Sequence, residues 1–427
     1  MSTRGDEAFL EAAGFLGRRL CRDALWAGDR CNWLGDSLEA VGGTWSVVHR
    51  ALGPDLYGGT SGIALFLTTL HRWTGEPLFR ITAEGALAQA MSHAGDLAPA
   101  QRVGAYTGWT GIAHAMAVAG EAFGEGTLTE RACAMAVEAA TNVDAGSGLD
   151  VLSGTAGAIP ILIGLQRRTG RNDLVTLAEC LGERLLGVVR KSEAGWSWDT
   201  VPGQAERDLT GFSHGAAGIA WALLELSAAT GQAHFRDAAD HAFAYERHWF
   251  DKEQDNWPDF RAMSKPAPGA GPARGMVAWC HGAPGIGLSR IRAFELTGGE
   301  MRREEAEAAM RSTLRMLKHA SLGAQIDFTL CHGRAGNAEL LIYAGQAFND
   351  ETARAAAEDV GRQGIEAFRR KDLPWPCGVP GGGETPNLMI GLAGIGYFYL
   401  RLYDPVAVPS VLIMQPVDTA NAGSQPG

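Results

Sequence analysis

Apolar residues in this chain gather into seven runs, each opened by a Gly-x-x-Gly tetrad and each long enough to form a helix. The first tetrad is Gly59-Thr-Ser-Gly62, which leads into Ile63 and ALFLTTL. The tetrad returns at Gly108, Gly154, Gly215, Gly282, Gly333 and Gly391, at intervals of 49, 46, 61, 67, 51 and 58 residues. Self-similarity at such a period marks a repeat architecture. Runs such as IAHAMAVAG, AIPILIGL, IAWALLEL and IGYFYLRL are apolar on most faces, which predicts buried helices. Between them lie stretches such as ITAEGALAQAMSHAG and EEAEAAMRSTLRMLKHA, charged on one side, which predict outer helices. Strand patterning is sparse. The predicted fold is therefore all-α: an α/α toroid, or barrel, of seven inner and seven outer helices with the Gly-x-x-Gly turns at one end.

The pattern also divides the chain. Residues 1–50 read as a helical extension packed on the outside, with Phe9, Leu10, Ala13, Leu16 and Leu20 at helical spacing, then a less regular stretch through Trp33 and Trp45. Residues 51–416 are expected to form the toroid, and the small polar residues 417–427 a disordered tail. The longest interval, before Gly282, holds HWFDKEQDNWPDFRAMSKPAPGAGPARG, a loop expected to act as a lid.

Composition narrows the function classes. With 46% hydrophobic and 20% charged residues, the chain has ample apolar material for a core. A net charge of −11 and no Lys/Arg stripe argue against nucleic acid as a partner. No run of about 18 apolar residues and no signal peptide is present, which predicts a cytoplasmic protein without an integral membrane segment. The seven cysteines are odd in number and scattered, so reduced thiols and metal ligation fit better than a disulfide framework.

Chemistry concentrates in two slots ahead of the tetrads. The residue just before the first glycine is Gly58, Thr107, Ser153, His214, His281, His332 and Ile390 along the seven copies. The one before that is Tyr57, Tyr106, Leu152, Ser213, Cys280, Cys331 and Met389. If the copies are equivalent, these slots line one mouth of the cavity, close to helix N-termini that favour developing negative charge. Thiolates with imidazole select zinc, and three protein ligands with an open fourth position is the catalytic pattern; Cys280, Cys331 and His332 are the predicted ligands. His281 either competes with His332 for the metal or lies beside it as an acid/base or substrate-contacting group. His214 suits a general acid or base, against the plainer reading of a capping or core histidine. Asp150 either orients a histidine or accepts a proton, or merely caps a helix or shapes a turn, as Asp55 is expected to do in the first copy. Cys133 and Cys180 read as small buried hydrophobes, and Cys21, Cys31 and Cys377 as structural.

These motifs resemble the lanthionine synthetase C-like family over nearly the whole chain. GPDLYGGTSGIALFL, WCHGAPGIGLSR, LCHGRAGNAELL and LMIGLAGIGYFYLRLYDPVAVPSVL look closest to the cyclase half of the class II lanthipeptide synthetases. The resemblance implies one zinc per chain, held by Cys280, Cys331 and His332, and an enzyme that adds peptide cysteine thiolates to dehydroalanine or dehydrobutyrine to form (methyl)lanthionine thioether rings. It also implies acid/base roles for His214 and Asp150. Two features depart from the family. Fewer than 60 residues precede the first motif, so the dehydrated precursor peptide is expected to come from a separate dehydratase or kinase/lyase partner. Where stand-alone cyclases carry an arginine and a tyrosine around the WCxG cysteine, this chain has Met276 and His281, with Arg274 nearby.

Three other readings stand beside the cyclase. A zinc-bearing relative that binds glutathione or protein thiols without making rings needs the metal site but no acid/base pair. A thiol-alkylating toroid normally adds a carboxylate ligand, and a glycosidase toroid needs two cavity carboxylates, of which only Asp150 is convincingly placed.

Overall fold

The computed structural model describes residues 5–41, 44–261, 275–319 and 327–416. Seven helices begin at the tetrads: α2 (Thr60–Thr74), α4 (Trp109–Phe123), α6 (Thr155–Thr169), α8 (Ala216–Thr230), α10 (Ala283–Thr297), α12 (Arg334–Ala347) and α14 (Leu392–Tyr403). Seven more alternate with them: α1 (Glu7–Arg22), α3 (Pro77–His93), α5 (Gly126–Thr141), α7 (Asn172–Gly187), α9 (Ala233–His248), α11 (Glu300–His319) and α13 (Glu351–Gly364). The first set is buried nearly all round; α8 hides every residue from Ala216 to Leu226. The second set is amphipathic, as α13 shows by burying Ala353, Ala357, Val360, Gly361 and Gly364 and exposing its charges.

The chain forms two compact units. One comprises residues 1–98, 107–135 and 319–410; in it α12, α14, α2 and α4 follow one another side by side, with α3 on α2 and α13 on α12. Among the described residues, the other comprises 99–106, 136–261, 275–318 and 411–416; in it α6, α8 and α10 follow one another, with α7 on α6 and α9 on α8. The amino-terminal helix α1 packs along α14, burying Phe9, Leu16 and Leu20 completely. Three such side chains contribute about 5–9 kcal/mol if each is worth roughly 1.5–3.

Residues 25–51, expected to be irregular, form two antiparallel hairpins: β1 (Leu25–Ala27) with β2 (Arg30–Asn32), and β3 (Leu34–Val41) with β4 (Thr44–Ala51). A third pairs β5 (Arg190–Ser192) with β6 (Gly195–Ser197). Thr44, Val47 and Val48 in β4 are β-branched, and such side chains favour the pleated strand.

Every inner helix has the first glycine of its tetrad as N-cap, with no side chain to receive its free N–H groups. The preceding loop supplies them instead. The first helical N–H donates to the carbonyl six residues before that glycine in five copies: Thr60 to Gly53, Thr155 to Gly148, Ala216 to Leu209, Arg334 to Asp327 and Leu392 to Thr385. The loop therefore folds down onto the helix start, and the second glycine makes room for it. A Cβ at Gly285 would stand 2.0 Å from the Trp279 carbonyl oxygen, and one at Gly336 1.8 Å from that of Leu330. Among the described residues no helix is long and apolar enough to cross a membrane.

Candidate metal centre and proton-transfer pair

The slot two residues before each tetrad carries a backbone hydrogen-bond chain. In one unit Tyr106 N–H donates to the Leu152 carbonyl (2.9 Å), Leu152 to Ser213 (3.2 Å) and Ser213 to Cys280 (3.4 Å). In the other, Cys331 donates to Met389 (2.9 Å) and Met389 to Tyr57 (3.0 Å). Residues matched by sequence position thus sit next to one another, with the Ser213 hydroxyl adding a 3.1 Å bond to the Cys280 carbonyl.

On this frame His214 meets Asp150. The imidazole Nδ1 lies 2.5 Å from Asp150 Oδ2, and the Asp150 side chain is 4% exposed. The same aspartate receives the Ser153 N–H on Oδ1 at 2.7 Å, the bond Asp55 makes to Gly58 in the first copy (2.8 Å). One oxygen of Asp150 thus closes the turn and the other meets the histidine. Burial pulls the His214 pKa down, but the hydrogen bond and charge of Asp150, helped by Cys280, outweigh it and leave it raised above its ordinary 6.5.

His281 stacks against His214 with ring centroids 5.7 Å apart and is 1% exposed. Neither of its ring nitrogens has a hydrogen-bond partner among the described residues. Burial first, then the charge of Arg261 and His214, push its pKa down to about 3, so it is neutral. A buried imidazole with both nitrogens unspent is costly.

Its copy is also built differently. Gly282 has φ +94°, which only glycine adopts readily, and the first helical N–H, on Ala283, donates to Asn256 Oδ1 (2.8 Å) where other copies use a loop carbonyl. Asn256 Nδ2 in turn donates to the Met276 carbonyl. Arg261, tied to Asp259 at 2.7 Å, reaches to 3.9 Å from Met276 Sδ. Arg274, the residue singled out in the sequence, lies outside the described residues, as do residues 262–274 of the expected lid and the tail after 416.

Cys331 is 4% exposed and His332 is partly exposed. His332 Nε2 is 3.1 Å from the Gly378 carbonyl and 3.1 Å from Asp327 Oδ2, whose pKa burial raises against the opposing pull of His332. One ligand atom from each of Cys280, Cys331 and His332 lies within 4.8 Å of the others. Two thiols and an imidazole are a donor set that suits zinc, and an imidazole whose second nitrogen is already engaged is the usual state of a metal ligand.

None of the seven cysteines is in a disulfide. Cys21, Cys31 and Cys133 are buried as expected, whereas Cys180 is exposed, on the outward side of α7. Position in the sequence gave no hint of Glu246, Asn256, Arg261 or Asp327, because each reaches a tetrad loop from elsewhere or from a slot of its own.

The fold is shared with solved structures of low identity. Nisin cyclase matches with a TM-score of 0.61 at 14% identity, over 84% of this chain and 92% of that one. A GH76 α-mannanase from Bacteroides thetaiotaomicron matches with a TM-score of 0.50 at 10% identity, over 92% and 95%. The fold class is thus the predicted α/α toroid, with seven inner and seven outer helices among the described residues. The family model for lanthionine synthetase C-like protein matches residues 50–413, and the chain belongs to that family.

Proposed function

We propose that the protein is a zinc-dependent lanthipeptide cyclase, with Cys280, Cys331 and His332 as zinc ligands and His214, oriented by Asp150, as the principal acid/base group. The observation that carries the reading is the gathering of two thiols and an imidazole within 4.8 Å, accompanied by the His214–Asp150 pair. A zinc ion held there would supply the positive charge that keeps a peptide thiol ionised near neutral pH.

The thiolate sulfur adds to the β-carbon of a dehydroalanine or dehydrobutyrine in the same peptide. A carbon–sulfur bond forms, the alkene π pair moves toward the carbonyl, and the α-carbon then takes a proton. With Nδ1 committed to Asp150, which also raises the pKa of the ring, His214 presents Nε2 as the proton-donating nitrogen when it is protonated. The proton lost earlier by the thiol balances the one delivered, so the product has the mass of the reactant. His281, neutral and unsatisfied, is the assisting group, and the helix N-termini behind the tetrads favour the enolate charge.

The substrate is a dehydrated precursor peptide, supplied by a separate dehydratase or kinase/lyase, and the reduced thiols suit the cytoplasm. A thiol-binding relative without ring formation would need neither the His214–Asp150 pair nor the raised pKa, which favours the cyclase. The test incubates zinc-loaded protein with a dehydrated, cysteine-containing precursor and then alkylates free thiols. Cyclisation leaves the mass unchanged and removes alkylatable thiols; thiols that stay fully reactive refute it.

A further inference from the structure

His332 Nε2 lies between two oxygens. The Gly378 carbonyl is 3.1 Å away and Asp327 Oδ2 is 3.1 Å away, and neither oxygen has a proton to give when Asp327 is ionised. A ring nitrogen placed between two acceptors carries the hydrogen itself. In a neutral imidazole only one nitrogen does so, which leaves Nδ1 with the lone pair. Both oxygens are held in place. Asp327 Oδ1 receives the Thr329 N–H at 2.7 Å, and the Asp327 carbonyl closes the first N–H of α12. Gly378 N–H donates to the Ile390 carbonyl at 3.0 Å, and two residues earlier the Pro376 carbonyl receives Phe328 N–H at 2.9 Å. The approach of Gly378 is so close that a Cβ there would stand 2.8 Å from His332 Nε2.

We infer that Asp327 is a positioning residue for His332, its charge 3.1 Å from Nε2 favouring the N–H there that the Gly378 carbonyl accepts, so that Nδ1 is the nitrogen offered to the metal. The inference rests on the zinc reading above. A carboxylate beside the distal N–H fixes the tautomer and ring direction and makes the ligating nitrogen more basic, and losing such a partner typically weakens metal binding 10–100-fold. Asp327 Oδ2 meets His332 Nε2 at ion-pair distance without hydrogen-bond geometry, so the Gly378 carbonyl is the acceptor and Asp327 acts through its charge.

The test is zinc affinity, measured by competition with a chromogenic chelator, for the full chain and for Asp327→Asn. Asparagine keeps the Oδ1 acceptor for Thr329 and loses the charge facing the imidazole. The expected result is a 10–100-fold weaker zinc affinity at unchanged helical content; an affinity within twofold of the parent overturns the inference. If the parent itself binds no zinc, the metal reading fails and not merely this refinement. Should the variant fail to fold, long-range proton–nitrogen spectra of the zinc-loaded parent labelled with ¹⁵N-histidine decide. A His332 with Nε2–H and metal on Nδ1 supports the assignment, and the opposite tautomer sinks it.

Discussion

Glu246 on α9 is fully buried, yet its carboxylate organises the loop that bears His214. Oε1 receives the Gly211 N–H at 3.0 Å and the Ala217 N–H at 2.8 Å, bracketing that loop and replacing the side-chain cap α8 lacks. Oε2 has no hydrogen-bond partner among the described residues. Burial raises the pKa from 4.5 to about 7, against the opposing pull of Arg290 and the two backbone N–H groups. A raised folded-state pKa contributes stability that is fully present below the unfolded value and is lost as pH rises through the folded one. The window therefore runs from 4.5 to about 7. At about 1.4 kcal/mol per pKa unit, its full extent is on the order of 3 kcal/mol. Glu246→Gln keeps volume and the Oε1 acceptor and removes the titration. Urea unfolding followed by helical circular dichroism, at several pH values between about 4.5 and 8.5, should show the variant gaining on the parent as pH rises, by about 3 kcal/mol across the range. Taking the difference cancels titrations common to both proteins. Parallel pH profiles, separated by a constant within about 0.5 kcal/mol, would refute the argument that this carboxyl is held near-neutral by burial.

Asp150→Asn removes the group that raises the His214 pKa, so the alkaline limb of the cyclisation rate should move to lower pH while zinc content stays the same; an unmoved limb would remove Asp150 from the proton path. His214→Gln should lower the rate by about 10²–10⁴-fold without loss of metal, as measured by single-turnover thiol protection. Cys331→Ala should lose tightly bound zinc by elemental analysis, and a full retained equivalent would disprove its assignment as a ligand. Gly285→Ala would force a Cβ to 2.0 Å from the Trp279 carbonyl oxygen, so a loss of at least about 1–3 kcal/mol in unfolding free energy is expected, and a neutral effect would mean the loop can yield there.

The inner helices were legible because their signals are local: a glycine cap, a second glycine three residues on, and an apolar run. The equivalence of the slots before the tetrads was legible for the same reason, and Ser213, Cys280, Cys331 and Met389 do occupy matching places in the backbone hydrogen-bond chain. What stayed hidden depends on distant partners. Phe9, Leu16 and Leu20 announced an amphipathic α1, yet nothing in 1–50 names α14, at the other end of the sequence, as the helix it packs along. The β3–β4 hairpin escaped because its exposed Leu34, Leu38, Trp45 and Val47 give no clean alternation of buried and polar positions. Asp150 was ambiguous for a physical reason: one carboxylate has two oxygens, and here one closes the turn while the other meets His214.

The long interval between the fourth and fifth copies illustrates how the repeat and the chemistry depend on each other. Its 67 residues suggested only a lid. Its described part supplies Glu246 to the His214 loop, Asn256 to the start of α10, and the Asp259–Arg261 pair, whose arginine acts electrostatically on both histidines. The fifth copy, with Gly282 at positive φ and Asn256 in place of a loop carbonyl, is also the copy that carries Cys280 and the unsatisfied His281. A regular copy closes its own helix N-terminus with its own loop. Where that closure is handed to a side chain from the insertion, the loop no longer has to follow the common turn, and its Cys-His pair is set by Asn256 and Gly282 rather than by the repeat. Asn256→Ala should therefore act on Cys280 as well as on stability: beyond the roughly 1–3 kcal/mol expected for an orphaned buried N–H, zinc affinity should fall. A stability loss with unchanged zinc affinity would show that the Cys280 loop holds its shape without the insertion.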